Sequence, residues 1–408
     1  MISVDEALER VLSHFEPLEP EEVEVLEALD CVLAEDVYSD MDVPPFDNSA
    51  MDGYAVRAAD TVGASRESPV ELQVIGAVAA GHTTDLVVKP GTAIRIMTGA
   101  PLPAGADAVV RFEDTGESRE GRVEIFGQVV AGANVRLAGG DVRRGELVLS
   151  RGTTLRPQGI GVLASLGRTR IQVIRRPRVG IVATGDELVA IDEPLTPAKI
   201  RSSNEYSSAA LVRRYGGIPI RLGIARDDPE DLKARICEGL AQKVDLFITS
   251  AGVSAGDYDV VRDVLAEEGK VHFWGVRMRP GKALAFGEIQ GVSLLGLSGN
   301  PMAFLVAFEQ FARPAILKML GKAQLRHLTV EAVLEHDVDG SEWCDLRPAV
   351  VTKRGGEYYA SVVGLRGFGV LASVVRANGL IIIPEGVRDK RVGEWVVVQM
   401  LDWPEDVA

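Results

Sequence analysis

Between residues 178 and 321 short apolar runs alternate with amphipathic ones, and this alternation restricts the possible folds more than any other feature of the chain. Strands are predicted over 179–183, 218–222, 246–248, 271–274, 284–286 and 292–297, with helices between them. One helix, near 204–215, is stopped by Gly216-Gly217. Another opens at Asp228-Pro229, aspartate as cap and proline at the first helical position, with Leu232, Ile236 and Leu240 on one face. Two more cover 260–267 and 301–320, the last ended by Gly321. Such alternation implies a doubly wound, mostly parallel α/β sheet with helices on both faces. In sheets of this kind ligands bind at the carboxyl ends of the strands.

The flanking segments differ in character. Ser3-Val4-Asp5-Glu6 is a capping-box pattern, with Ser3 at the N-cap and Glu6 at N3. Val4, Ala7, Leu8, Val11, Leu12 and Phe15 follow at helical spacing. From 44 to 140, frequent Gly and Pro separate Val/Ile-rich runs at 71–75, 93–97, 108–112 and 122–126, which predicts antiparallel β structure. Runs at 146–149 and 153–155 lead into Arg175-Arg176-Pro177, which reads as a linker. The segment 323–408 returns to short strands at 329–334, 349–352, 358–363, 380–384 and 395–400. The chain is therefore expected to be multidomain, α/β plus β. An α/β domain is drawn from 1–20 and 177–322, and a linking domain from 21–43 and 141–176. A β-rich inserted lid domain covers 44–140, and a small C-terminal β-domain covers 323–408.

A formal net charge of −15 argues against nucleic-acid or acidic-membrane partners, which need a basic surface. An anion is still bound by such a chain if the site gathers its own cations. Cys31, Cys237 and Cys344 lie far apart with no C-x-x-C, so neither a disulfide framework nor a thiolate zinc site is expected. The amino terminus lacks a signal-like segment, and no apolar run is long enough to span a bilayer. A soluble, cytoplasmic protein is predicted.

Three predicted strands run into similar loops: Thr184-Gly185-Asp186-Glu187, the stretch from Ser250 to Asp259, and Ser298-Gly299-Asn300-Pro301. In a parallel sheet all three loops lie along one edge, bringing Glu187, Asp257 and Asp259 together. Glycines let backbone N–H groups approach an anion, carboxylates suit a hard cation such as Mg²⁺, and a helix N-terminus favours a phosphate. A set of structural turns is the plainer alternative. Arg279-Pro280-Gly281-Lys282 adds two cations, although a solvated turn would look the same. It is not a P-loop, because Ala283 stands where Ser or Thr is required. Gly252-Val253-Ser254-Ala255-Gly256 matches the nucleophile-elbow pattern of serine hydrolases, with His272, His327 or His336 as the base. Against that reading, Asp257-Tyr258-Asp259 prolongs the loop and no His-Gly-Gly segment lies upstream. Phe46, Met51 and Tyr54 around Asp47 and Asp52 would suit a lid, and Thr98 follows a strand in a similar setting.

Taken together, segments 45–55, 95–107, 184–188, 200–204, 250–259, 279–287, 296–301 and 376–384, in that order, resemble the molybdopterin molybdenumtransferases, the MoeA type related to the gephyrin E domain. The resemblance implies an α/β part with the molybdopterin-binding fold and a homodimer whose site lies between protomers. It also implies a Mg²⁺-dependent reaction in which adenylated molybdopterin loses AMP and receives molybdate. The adenylyltransferase and acceptor molybdoenzymes are implied as further partners. Asp52, Thr98, Glu187, Asp259 and Lys282 are implied as catalytic. Glu187, Asp259 and either Asp227 or Asp228 are implied as metal ligands, with Asp141 in less distinctive surroundings. Gly252, Ser254, Gly256, Asp257, Ser298 and Asn300 are implied to hold the pterin and phosphate groups. Arg279 and Lys282 would hold the oxyanion or terminal phosphate, and Arg347 would complete that pocket. Three positions depart from the family. Arg279 replaces the usual Lys, Ala283 the usual Pro, and Gly367-Phe368-Gly369 the common Gly-Ser-Gly. Tungstate therefore stays open as the oxyanion, as do a noncatalytic molybdopterin-binding scaffold and a hydrolase using Ser254.

Overall fold

The computed structural model describes residues 1–119, 121–252, 260–363, 374–387 and 389–404. Ser254, Gly256, Asp257, Asp259 and Phe368 lie outside the described residues. The chain folds as two compact units. The first comprises Met1–Ala34, Gly152–Pro157 and Arg170–Ala408, the second Glu35–Arg151 and Gln158–Thr169.

In the first unit a six-stranded sheet has the order Ile218–Ala225, Arg178–Thr184, Leu246–Ser250, Val292–Leu297, Ala285–Ile289, Gly269–Trp274. The first four strands are parallel, as the alternation predicts. The last two run antiparallel. Gln290 and Gly291, both at positive φ, join Ala285–Ile289 to Val292–Leu297, and so short a turn permits only antiparallel pairing. Strand periodicity sends successive side chains to opposite faces. Val179, Ile181, Leu246, Ile248, Leu295 and Leu297 join a core with Ala7, Leu8, Val11, Phe304 and Phe308. Val182, Phe247 and Leu294 join a second core with Leu232, Ile236, Val261 and Leu265.

Ser3 caps the helix Val4–Leu12 by accepting the Glu6 N–H at 3.2 Å. Only half of the expected capping box forms, because the Glu6 carboxylate pairs with Arg10 at 2.7 Å instead. The predicted helix over 301–320 is not uniform: Pro301–Ala307 and Arg313–Met319 are α-helical and Phe308–Ala312 is a π-turn. The presumed linker at Arg175-Arg176-Pro177 is a tied joint. Arg175 donates to both oxygens of Asp245 at 2.8 and 2.6 Å, and Asp245 also accepts the Arg178 N–H at 2.7 Å. The starts of two neighbouring strands are thereby clamped together.

Five C-terminal strands close on themselves in the order Cys344–Arg354, Glu357–Val362, Thr329–Leu334, Trp395–Met400, Gly379–Ile383. This small β-domain takes one strand from outside its expected bounds, since Met278–Arg279 pairs in parallel with Cys344 and Asp345. The second unit holds a six-stranded sheet ordered Ala108–Arg111, Gly53–Val56, Thr92–Ile96, Val70–Val78, Arg122–Ile125, Thr115–Arg119. The expected antiparallel arrangement does not hold throughout, because Val70–Val78 runs parallel to Thr92–Ile96. Residues 79–91 between them are long enough for the crossover that parallel strands need.

Phe247, fully buried, lies between two glycines. A Cβ on Gly239 would stand 2.4 Å from its Cε1, and one on Gly180 would stand 2.9 Å from its Cδ1. Helix propensity alone predicts that Gly239→Ala stabilises by about 1 kcal/mol. The trapped ring predicts the opposite sign, a loss of about 1–3 kcal/mol in urea unfolding of this unit. A gain in stability would contradict the packing.

Candidate functional site

The carboxyl ends of the parallel strands are cross-tied. Thr184 Oγ1 donates to the Ser250 carbonyl at 3.1 Å, and the Ala251 N–H donates to the Leu297 carbonyl at 2.9 Å. Gly185 N–H reaches the Ala225 carbonyl at the end of the neighbouring strand Ile218–Ala225, at 3.1 Å. The described starts of the loops, at Thr184, Ser250–Gly252 and Ser298, therefore stand side by side, as the sequence predicts. A Cβ on Gly299 would meet the Ala251 Cβ at 2.9 Å, and one on Gly252, at φ +69°, would meet Val261 Cγ2 at 2.8 Å. Glycine backbone packs directly on neighbouring side chains here, which leaves no room for a Cβ at either position. Asn204 donates to the Gly299 carbonyl at 2.8 Å and brings the first turn of the helix Ser203–Arg214 to the same edge. A cavity of about 80 Å³ opens there, lined by Thr184, Glu187, Ser202, Asn204, Ser250 and Gly299 among others.

The acidic candidates divide by role. Asp228 caps the helix Pro229–Ala241, accepting the Glu230 N–H at 3.2 Å. Asp227 instead faces the strand-end loop. Its carboxylate accepts the Asp186 N–H at 3.2 Å, and its own N–H donates to the Asp186 carboxylate at 3.4 Å. Nothing in the sequence marks Asp186, which stands beside the more conspicuous Glu187, as the partner of Asp227. Asn300 likewise has a structural task, its Oδ1 accepting the N–H groups of Met302 and Ala303 at 3.0 and 3.3 Å. Ser298 Oγ accepts the Asn300 N–H at 3.3 Å.

A basic cluster is built on Asp345, whose side chain is wholly buried. Arg279 Nε lies 2.8 Å from one of its oxygens and Arg347 Nη2 lies 3.2 Å from the other. A buried carboxylate is costly unless paired, and here two guanidinium groups share the pairing of Asp345. Lys282 Nζ lies 5.7 Å from the Trp343 ring centroid, within cation–π range. The sequence pointed to Arg279, Lys282 and Arg347 but not to Asp345. A single aspartate in a strand carries no local mark of its partners.

Asp52, Thr98 and Asp141 belong to the second unit. Asp52 Oδ1 accepts both the N–H and the hydroxyl of Thr98, at 2.7 and 2.8 Å. These bonds, the backbone one foremost and aided by the Arg95 charge, hold the Asp52 carboxyl below the usual range. Gly53 beside it admits no side chain, because a Cβ would stand 1.9 Å from the Val110 carbonyl oxygen. Asp141 is exposed, its N–H bonded to the Val43 carbonyl at 3.0 Å. The remaining candidates Ser254, Gly256, Asp257 and Asp259 fall outside the described residues. Among the described residues no three His, Cys, Asp or Glu side chains are already gathered as a metal site. The acidic groups at the strand ends offer oxygen donors alone, the donor type of a hard cation that keeps part of its water shell. His327 pairs with buried Glu309 at 2.7 Å, and the His272 ring packs at a tilt against His14 with centroids 4.1 Å apart, so each is engaged away from the strand-end loops.

Fold and site thus define an α/β protein whose strand-end loops begin side by side along one sheet edge, with two arginines set against a buried aspartate on a small β-barrel. Family models match residues 2–167 as the MoeA N-terminal region (domain I and II), 180–318 as a probable molybdopterin binding domain, and 344–401 as the MoeA C-terminal region (domain IV). The chain is 37% identical to the molybdopterin molybdenumtransferase of Bacillus subtilis over 417 aligned residues, covering 100% of this chain and 97% of that one. It is 39% identical to the Nostoc molybdopterin molybdenumtransferase, covering 91% of this chain and 86% of that one. The crystal structure of a molybdopterin biosynthesis MoeA protein from Pyrococcus horikoshii superposes with a TM-score of 0.84 at 35% identity, covering 99% of this chain and 100% of that one. The chain belongs to the molybdopterin molybdenumtransferase family, a family of transferases in molybdenum cofactor biosynthesis.

Because the fold lowers the Asp52 pKa, the stabilisation from its bonds to Thr98 is complete above the ordinary aspartate value of about 3.9 and is lost as pH falls through the depressed one. A carboxyl-carbon NMR titration should place Asp52 below that ordinary value. Thr98→Val, which keeps the N–H and loses the hydroxyl, should move it part of the way back. An Asp52 midpoint at the ordinary value in both proteins would contradict the geometry.

Proposed function

We propose that the protein inserts molybdate into adenylated molybdopterin with release of AMP, in a Mg²⁺-dependent reaction. The observation that carries this reading is the edge of cross-tied loops at Thr184, Ser250–Gly252 and Ser298–Gly299, in a chain of this family. Backbone groups of these loops hold the pterin and phosphate portions of the substrate. Ser254, Gly256 and Asp257 are assigned the same task by their place in the loop. Glu187, Asp227 and Asp259 are the proposed Mg²⁺ ligands, with Asp228 retained by its cap and Asp141 a further candidate. Bound Mg²⁺ supplies Lewis-acid polarisation of the pyrophosphate and neutralises charge on the leaving phosphate. Arg279, Lys282 and Arg347 hold the oxyanion and stabilise negative charge as it develops. Asp345 orients the two arginines. Asp52 and Thr98 complete the polar set, and no side chain is required as a covalent nucleophile.

The four-part domain division belongs to this reading, supported by matches to domains I and II over 2–167 and to domain IV over 344–401. So does a homodimer. The three cysteines are unpaired, which fits a reducing compartment, and no described helix is long and apolar enough to cross a membrane.

Purified protein incubated with adenylated molybdopterin and molybdate should release AMP when Mg²⁺ is added. Asp259→Ala should lower that rate by about 10²-fold or more, as expected when a group stabilising transition-state charge is lost. Tungstate in place of molybdate reads the oxyanion preference, and a fluorophosphonate that labels Ser254 would point to the hydrolase instead. If no AMP appears with any divalent metal, the transferase reading fails for this chain.

A further inference from the structure

Away from the strand-end loops, the first unit contains a cavity of about 300 Å³ whose walls are unusually basic for so acidic a chain. Arg176, Arg213, Arg214 and Lys322 line it, and Asp30 is the one acidic residue among its lining residues. Arg214 is committed to Asp402. Arg176 contacts the Cys31 sulfur at 3.7 Å, and neither it nor Arg213 has a carboxylate partner among the described residues. Lys322 donates to the Asp30 carbonyl at 2.6 Å, and burial lowers its pKa, with Arg176 adding to the effect. A helix C-terminus attracts cations, which accounts for Arg213 and Arg214 in the last turn of Ser203–Arg214. It does not account for Arg176 and Lys322, which arrive from two other segments. Like charges gathered around a concavity repel one another, and a bound anion relieves the repulsion. Leu317, Leu320 and Tyr215 form an apolar part of the wall, suited to a short organic stem.

We propose that this cavity is a second anion site, which takes the phosphate group of a small phosphomonoester through Arg176, Arg213 and Lys322. The site is independent of the strand-end loops, so its test is read separately from theirs.

The full-length protein is treated with acetic anhydride, and the labelling rate of each lysine is followed by peptide mass spectrometry. Glycerol 3-phosphate, inorganic phosphate, or potassium chloride of matched ionic strength is present. Glycerol 3-phosphate at about ten times its dissociation constant should slow labelling of Lys322 about tenfold. Inorganic phosphate should do so more weakly and chloride not at all. Arg176→Gln with Arg213→Gln should abolish the protection, and should leave the melting temperature near that of the wild type because no ion pair is lost. If that double variant melts early, Arg213→Gln alone, on the exposed last turn of its helix, gives the same comparison. Calorimetric titration with glycerol 3-phosphate checks binding if Lys322 labels too slowly to follow. No protection and no heat, equal protection by chloride, or protection retained in the variants would overturn the site. Protection by inorganic phosphate alone would overturn its organic part.

Discussion

The register of three neighbouring parallel strands is the constraint on which the candidate site depends. Ala183 pairs with Ser250 and Ser250 with Leu297, so the three chains leave the sheet level with one another. A slip of one residue would turn every side chain to the opposite face and bury the wrong set. Asp245 resists that slip from the other end, clamped by Arg175 and by the Arg178 N–H. With both ends fixed, Thr184 and Ala251 tie the departing loops together, and the glycines allow a contact too close for side chains.

Charge is the second constraint. A chain with a net charge of −15 repels an anionic ligand at long range, so any anion site must assemble cations locally. The cluster at Asp345 does so by burying one carboxylate beneath two arginines. This gives a physical reason for arginine at 279. Arginine has Nε as well as terminal nitrogens, and it is Nε that lies against Asp345, a side-on approach that the terminal ammonium of lysine cannot reproduce. The strand Met278–Arg279 also ties the connection between Gly269–Trp274 and Ala285–Ile289 of the α/β sheet into the C-terminal barrel.

What was legible in the sequence was what local periodicity encodes. The strand and helix alternation, the caps at Ser3 and Asp228, and the glycine stop at Gly321 all appear in the structure. So do the level ends of the three strands from which the loops depart. Contacts between distant residues were not legible. Arg279 and Asp345, Arg175 and Asp245, and Asp186 and Asp227 are pairs that only the fold brings together. The parallel pair in the second unit was hidden because both strands carry the same alternating pattern whichever way they run. The π-turn at Phe308–Ala312 was hidden because its residues are apolar at spacings that also suit an α-helix. Asp52 and Thr98 stand out in the sequence by resemblance, and nothing local in the sequence marks the hydrogen bonds that join them across 46 residues.

The most direct test of the account concerns the contact between Gly299 and Ala251. Gly299→Ala should force the two loops apart while leaving both cores intact, since its Cβ would stand 2.9 Å from the Ala251 Cβ. Equilibrium binding of molybdopterin should weaken by about tenfold to a hundredfold, or about 1.4–2.8 kcal/mol, with an unchanged melting temperature. An affinity equal to that of the wild type would show that the ligand does not rest on these loops.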